Sequence, residues 1–233
     1  MLNHKNFYSN KVVNKPWGYE YVIYNNSNKL AITLVKINYG HMTSLHCHPE
    51  KKTGFIILSG KAQVQIGIYK ENKKCFNSLS RLVFRPGLFH SLKSISKRGL
   101  YALEFETPYK KNDLIRFKDN YGRQKKEYEG IKFTKNLEQN FLKFKKPKSG
   151  KKNIYKFKNV EISIESKKNF KSFKKNDDKS TSAILSGSLI DRNGRNVISY
   201  GEIIKSSTLR ILSDKFKIKK PITILRVSKK KWK

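Results

Sequence analysis

Between residues 19 and 106 the chain breaks into short runs rich in β-branched and aromatic residues, each closed by turn residues. They are YEYVIY (19–24), AITLVKI (31–37), FIILSG (55–60), AQVQIGIY (62–69), RLVF (81–84) and LYALEFE (100–106). Runs this short and this evenly punctuated make strands of a sandwich or barrel, so the predicted fold class is all-β. AQVQIGI alternates polar and apolar residues, as a strand with one wet face does. Further runs follow at NVEISIES (159–166), TSAILSGSLID (181–191), GEIIKSS (201–207) and KPITILRVS (220–228).

The later runs echo the earlier ones. FIILSGKAQVQIG is matched by SAILSGSLIDRNG, LVFRPGLFHSLKS by EIIKSSTLRILSD, and LYALEFE by PITILRV. Three matches in one order read as an internal repeat of two β-domains. Placing Gly60 on Gly187 carries His46 to Phe173 and His48 to Lys175. The second match carries His90 to Arg210, so the second copy has lost its histidines. The predicted divisions are 1–130 for the first domain, 131–152 for a basic, weakly patterned linker, and 153–233 for the second domain.

The formal net charge of +35 raises nucleic acid as a partner. The lysines are spread along the whole chain, and no helix-turn-helix, zinc-finger or aromatic RNA-binding motif accompanies them. The sequence therefore predicts no specific nucleic-acid partner; the basic field instead favours small anionic ligands. No apolar run reaches the length of a membrane span, and MLNHKNFYSN lacks the apolar core of a secretory signal. Two cysteines, Cys47 and Cys75, make no disulfide framework. A cytoplasmic location is expected.

Three of the five histidines fall between Gly40 and Gly60. On a strand, residues two apart share a face, so His46 and His48 point the same way and Cys47 the other. His90 follows a Pro-Gly turn at the start of another predicted strand. Together His46, His48 and His90 can form a three-imidazole site, and Zn, Mn or Fe all accept imidazole nitrogen. His41 reads as a turn residue, and His4 lies in the N-terminal tail. Trp17 and Tyr19 read as packing residues of the first strand.

The spacing from Gly40 through His46 and His48 to Gly60, followed by Gly87-Leu-Phe-His90, resembles the two motifs of the cupin superfamily. KPWGYE (15–20), TSLHCH (43–48), ILSGKAQV (57–64) and DLIRFKDNYGR (113–123) look like the cupin domain of type II mannose-6-phosphate isomerases. That domain also closes bifunctional mannose-1-phosphate guanylyltransferases. The resemblance covers roughly residues 15 to 125. It implies a double-stranded β-helix (jelly-roll) fold, a divalent metal, and work on a phosphorylated sugar or sugar nucleotide for surface polysaccharides. With the repeat, the chain reads as a bicupin whose second, smaller copy is degenerate. A homodimer follows by analogy with cupins that pair through their barrel faces.

This sequence departs from that family at the metal. His46 stands where the family has a glutamine ligand, and Thr53 where it has a glutamate. Glu50 lies close enough in sequence to serve as a fourth ligand. On the substrate side the candidates are Lys52, or its neighbour Lys51, as a point charge for phosphate; Thr53; and Arg85, whose guanidinium binds phosphate oxygens in pairs. No catalytic base is identifiable; Glu50, Glu104 and Glu106 are candidates by position. Two alternatives stand beside a sugar-phosphate isomerase: a non-catalytic sugar-binding module, and a dioxygenase holding Fe(II) on three histidines.

Overall fold

The apolar runs become strands where the sequence places them. The computed structural model describes residues 8–125, 129–148, 150–169 and 179–230. Its first strands are β1 (Lys11–Lys15), β2 (Gly18–Asn26), β3 (Leu30–Ile37), β4 (Leu45–Cys47), β5 (Lys52–Ser59) and β6 (Ala62–Ile66). They are followed by β7 (Lys73–Phe76), β8 (Arg81–Phe84), β9 (His90–Ser94), β10 (Leu100–Thr107), β11 (Ile115–Lys118) and β12 (Thr134–Asn136). One sheet has the order β12-β1-β2-β3-β10-β5-β8, the other β11-β4-β9-β6-β7. From β3 to β6 successive strands change sheet, and from β7 to β11 the chain winds back the same way. That winding is a double-stranded β-helix. β3 and β5 are buried along nearly their whole length, which explains why they read as continuous apolar runs rather than alternating ones.

The chain divides into two compact units, Met1–Ser78 with Val83–Phe144, and Leu79–Leu82 with Lys145–Lys233. The first unit thus runs past Ile131, where the sequence begins its linker. β12 pairs with β1, Phe141 packs edge-on against Tyr21 at 5.2 Å, and buried Phe144 donates its N–H to Ile23 O at 2.9 Å. Single aromatic anchors in a lysine-rich stretch carry too little periodicity to be legible beforehand.

The second unit contains β13 (Lys152–Phe157), β14 (Val160–Lys167), β15 (Thr181–Ser186), β16 (Leu189–Ile190), β17 (Asn196–Ile198) and β18 (Ile203–Lys205). A helix, α1 (Ser206–Lys215), then precedes β19 (Lys217–Ile218) and β20 (Ile222–Lys229). Its sheets, β13-β14-β20-β15-β18 and β17-β16-β19, repeat the orders β2-β3-β10-β5-β8 and β7-β6-β9 of the first unit. The correspondence reaches single residues. Leu58 is bulged out between β5 and β10, where Ser59 faces Tyr101 and Ile57 faces Ala102. Leu185 is bulged out in the same way, with Ser186 facing Thr223 and Ile184 facing Ile224. After each bulge comes a left-handed glycine, Gly60 (φ +91°) and Gly187 (φ +79°). A Cβ on Gly60 would stand 2.4 Å from Gly99 O, and one on Gly187 2.8 Å from Pro221 O. Both carbonyls belong to the residue just before β10 or β20.

Two of the sequence matches shift. Leu100 corresponds to Ile222, one residue beyond Pro221, as the bulge registers require. Arg210 is not a strand counterpart of His90, because it lies in α1. The helix stands where the first unit has the tight Arg85–Phe89 turn. Leu209, Leu212 and Phe216 recur at helical spacing and pack onto Ile184, Leu189, Ile198, Ile222 and Ile224. Phe173 and Lys175 lie outside the described residues. Among the described residues no helix is long and apolar enough to cross a membrane.

Candidate metal centre and barrel pocket

The period of two brings the first pair of histidines into the barrel, and the sheet supplies the third. His46 is the central residue of β4, His48 follows it directly, and His90 opens β9 opposite His46. The ring centroids are 5.0 Å apart for His46–His48, 4.7 Å for His46–His90 and 5.6 Å for His48–His90. One nitrogen from each ring lies within 4.8 Å of the others. Phe84 stacks on His90 at 4.1 Å and 5°, holding that ring in an apolar wall.

Each Nδ1 is engaged by a backbone carbonyl: His46 by Ser44 O at 2.8 Å, His48 by Asp113 O at 2.5 Å, His90 by Leu88 O at 3.0 Å. A carbonyl only accepts, so each Nδ1 carries the proton and each Nε2 keeps its lone pair. The Nε2 atoms of His48 and His90 are buried and make no hydrogen bond. An orphaned buried acceptor costs about 1–3 kcal/mol, and a cation at this point would satisfy it. Burial, the other histidines and Lys51 push the His46 imidazole well below its ordinary range. Burial first, then Lys51, lowers His48 to about 3, and burial lowers His90 to about 4. All three are therefore neutral near pH 7, the form that binds metal. Donor chemistry, tautomer and orphaned lone pairs all fit a divalent transition metal on His46, His48 and His90.

A pocket inside the barrel adjoins the histidines. It is lined by His46 and His48, by the apolar wall of Trp17, Val35, Phe55 and Leu92, and by ionisable groups from both sheets. On β10, Glu104 and Glu106 share the inward face. Glu106 is 2 % exposed, yet it stays a carboxylate. Burial pushes it up, but Lys111 and Lys51 more than reverse this, with Nζ atoms at 3.1 and 2.6 Å. Glu104 goes the other way. Burial, then the charges of Glu106 and Glu20, push it up to about 8, which favours the neutral carboxylic acid at pH 7. At the far side Arg123 joins Asp119 and Glu129, each at 2.6 Å, and Lys15 also pairs with Glu129. The cations Lys15, Lys51, Lys111, Arg116 and Arg123 line this pocket, and Glu20, Glu106, Asp119 and Glu129 balance most of their charge.

The structure brings His46, His48 and His90 together, whereas Lys52, Thr53 and Arg85 are dispersed. Lys52 is half-buried and does not line the pocket; Lys51 does, because it shares parity with Thr53 and Phe55. Thr53 is 1 % exposed, faces Glu106 across the β5–β10 ladder, and its Oγ1 makes no hydrogen bond. Arg85 is exposed on the turn after β8, its guanidinium 3.4 Å from Pro86 O. Glu50 is exposed and paired with Lys110 at 2.5 Å, turned away from the ligand role considered for it. His41 is exposed and stacked on Tyr121. Asp113, the first residue of DLIRFKDNYGR, went unnoticed. Its carbonyl orients His48, and its carboxylate accepts the N–H groups of Glu50 and Lys51 at 2.8–3.1 Å. Its only sequence signal was membership of that motif.

The first unit is thus a double-stranded β-helix barrel with a three-histidine cluster inside. No family model and no curated protein matches the chain. Solved structures similar to it are double-stranded β-helix and cupin proteins. A conserved protein with a double-stranded β-helix domain from Klebsiella pneumoniae is 16% identical, over 37% of this chain and 69% of that one, with a TM-score of 0.35. KdgF from Halomonas sp. is 16% identical over 41% and 84% of the two chains, with a TM-score of 0.37. The Cnp3 cupin domain of Schizosaccharomyces pombe is 15% identical over 39% and 64%, with a TM-score of 0.36.

Proposed function

We propose that the first unit holds one divalent metal (Zn, Mn or Fe) on His46, His48 and His90. We further propose that its barrel pocket takes a phosphorylated sugar or sugar nucleotide of surface-polysaccharide synthesis, in the manner of a sugar-phosphate isomerase. The observation that carries this reading is the cluster of three neutral imidazoles, two of them (His48 and His90) with buried and unsatisfied Nε2 atoms, beside a pocket rich in fixed cations. Five cationic side chains line the pocket, four of them held in ion pairs with Glu20, Glu106, Asp119 and Glu129. A bound divalent ion would add a Lewis acid for a substrate oxygen. Lys51 and Lys111, held rigid by Glu106, fix the charge that an anionic sugar would meet. Glu104, kept protonated by burial, is the group placed to give a proton to a substrate oxygen and take one back.

One observation favours a binding module as the second reading. The carboxylates that line the pocket are engaged or held toward the neutral form: Glu106 is locked by two lysines, Glu20 pairs with Lys15, and burial pushes Glu104 up. Calorimetric titration of metal-loaded protein with mannose 6-phosphate, GDP-mannose and unphosphorylated mannose tests the ligand class. Fructose 6-phosphate formation with Mn(II), Zn(II) and Fe(II) in turn tests turnover. Binding of a phosphorylated sugar that His48→Ala abolishes supports the proposal; preference for the neutral sugar contradicts it.

A further inference from the structure

The sheet that carries the histidines has a second concavity on its outer face. Strand alternation separates the two sides. His46, Leu92 and Arg116 face the barrel pocket, whereas Leu45, Ser91, Lys93 and Phe117 face the outer groove. The groove encloses about 870 Å³, including the space that opens to solvent. Lys70, Lys73, Lys93 and Lys118 line it, and no carboxylate does.

The contrast with the interior is one of neutralisation. Inside, Lys15, Lys51, Lys111 and Arg123 all reach carboxylates. In the groove, among the described residues, the four ammonium groups form no ion pair and no hydrogen bond. Four like charges around one concavity repel each other and concentrate a positive potential there. The groove also presents an aromatic face. Phe117 is 55% exposed, and its ring is steadied by an edge contact with Phe89 at 5.7 Å. Gln63, Gln65 and Asn120 add amide groups. A second copy of this chain would bring four more lysines, and a flat bilayer would not reach a concave floor. An extended polyanion with planar rings satisfies every part.

We propose that this groove binds single-stranded nucleic acid without sequence selectivity, the lysines following the phosphates and Phe117 stacking on a base. The dispersed lysines explain why no recognition motif shows in the sequence: the groove is assembled from β4, β6, β7, β9, β11 and the turn before β7. The site is independent of the metal and of the sugar reading.

The test uses the full chain and a fluorescein-labelled mixed-sequence oligodeoxynucleotide of about 12 nucleotides, within the span such faces cover. Anisotropy is followed as salt is raised. The double variant Lys93→Gln/Lys118→Gln should lower the slope of log affinity against log salt by about 1.4, roughly 0.7 per phosphate contact. Phe117→Ala should weaken binding about tenfold with the slope unchanged. The control is Lys219→Gln/Lys220→Gln, two exposed lysines of the second unit. A slope change in the control equal to that of the groove pair, or wild-type affinity in Phe117→Ala, overturns the proposal, as the charge would then act diffusely. Binding to anionic phosphatidylserine vesicles that depends equally on Phe117 also overturns it.

Discussion

His46 and His90 face each other directly across the β4–β9 ladder, their ring centroids 4.7 Å apart. The backbone register itself therefore sets the distance between two candidate ligands on strands 44 positions apart in sequence. His48 joins them because Asp113 O fixes its ring from a third segment. A site positioned by backbone ladders and carbonyls has little freedom to rearrange, which is the condition for pre-organised metal binding.

Glu104 should leave a signature in the pH dependence of stability. Its folded pKa, about 8, lies above its ordinary value of 4.5, so the folded state binds the extra proton between those limits. Stability from this group is then fully present below pH 4.5 and is lost as pH rises through 8, by at most about 1.4 kcal/mol per pH unit. Glu104→Gln keeps the shape of the neutral acid and removes the titration. Urea unfolding of metal-free protein from pH 5 to 8.5 should show the variant gaining on the wild type as pH rises. A constant difference would mean that Glu104 is ionised in the fold.

Lys51→Met removes one of the two cations that hold Glu106 ionised inside the barrel. Stranding a buried carboxylate costs roughly 3–5 kcal/mol, and Lys111 keeps the loss at the lower end of that range. Adding Glu106→Gln to the same chain should recover part of it. Denaturant midpoints of the two single variants and the double variant check this by their non-additivity.

Much of this was legible in the sequence, and the reasons are physical. Strands announce themselves by short apolar runs, and His46 and His48 by the period of two. The same period also distinguishes Lys51 from Lys52. If Thr53 faces the barrel then Lys51 does too and Lys52 does not, since a one-residue step changes the face. Glu104 and Glu106 were readable as charges on the inward positions of an apolar strand, but their opposite protonation states depend on Lys51 and Lys111, which only the fold brings near. Helix α1 was missed because the resemblance of its segment to LVFRPGLFHSLKS outweighed the spacing of Leu209, Leu212 and Phe216.

The internal repeat predicts matched responses at Gly60 and Gly187. Both have positive φ, and both would drive a Cβ into a backbone carbonyl. Gly60→Ala and Gly187→Ala should each destabilise the protein by about 1–3 kcal/mol. Thermal unfolding of both variants checks this. A neutral Gly187→Ala would mean that the two bulge-and-glycine corners are not equivalent in energy.

Thr53→Glu places a carboxylate opposite Glu106, on the inward face where a hydroxyl now lacks a partner. The metal-free variant should melt several degrees lower, since a further carboxyl is forced in beside buried Glu106 and half-buried Glu104. Metal affinity should rise, because an anionic oxygen is a better donor than a hydroxyl. Binding of mannose 6-phosphate should weaken through repulsion. Unchanged sugar-phosphate affinity would mean that a charge at position 53 does not act on the ligand.

The metal content of the purified protein decides whether the three histidines form a metal centre. Full-length protein expressed with Zn, Mn and Fe, dialysed and examined by elemental analysis, should carry about one divalent ion per chain, as one three-histidine cluster allows. His48→Ala and His90→Ala, each folded by circular dichroism, should lose it. Equal and non-zero metal in the wild type and both variants, or a metal-free wild type after supplementation, would contradict the assignment of His46, His48 and His90.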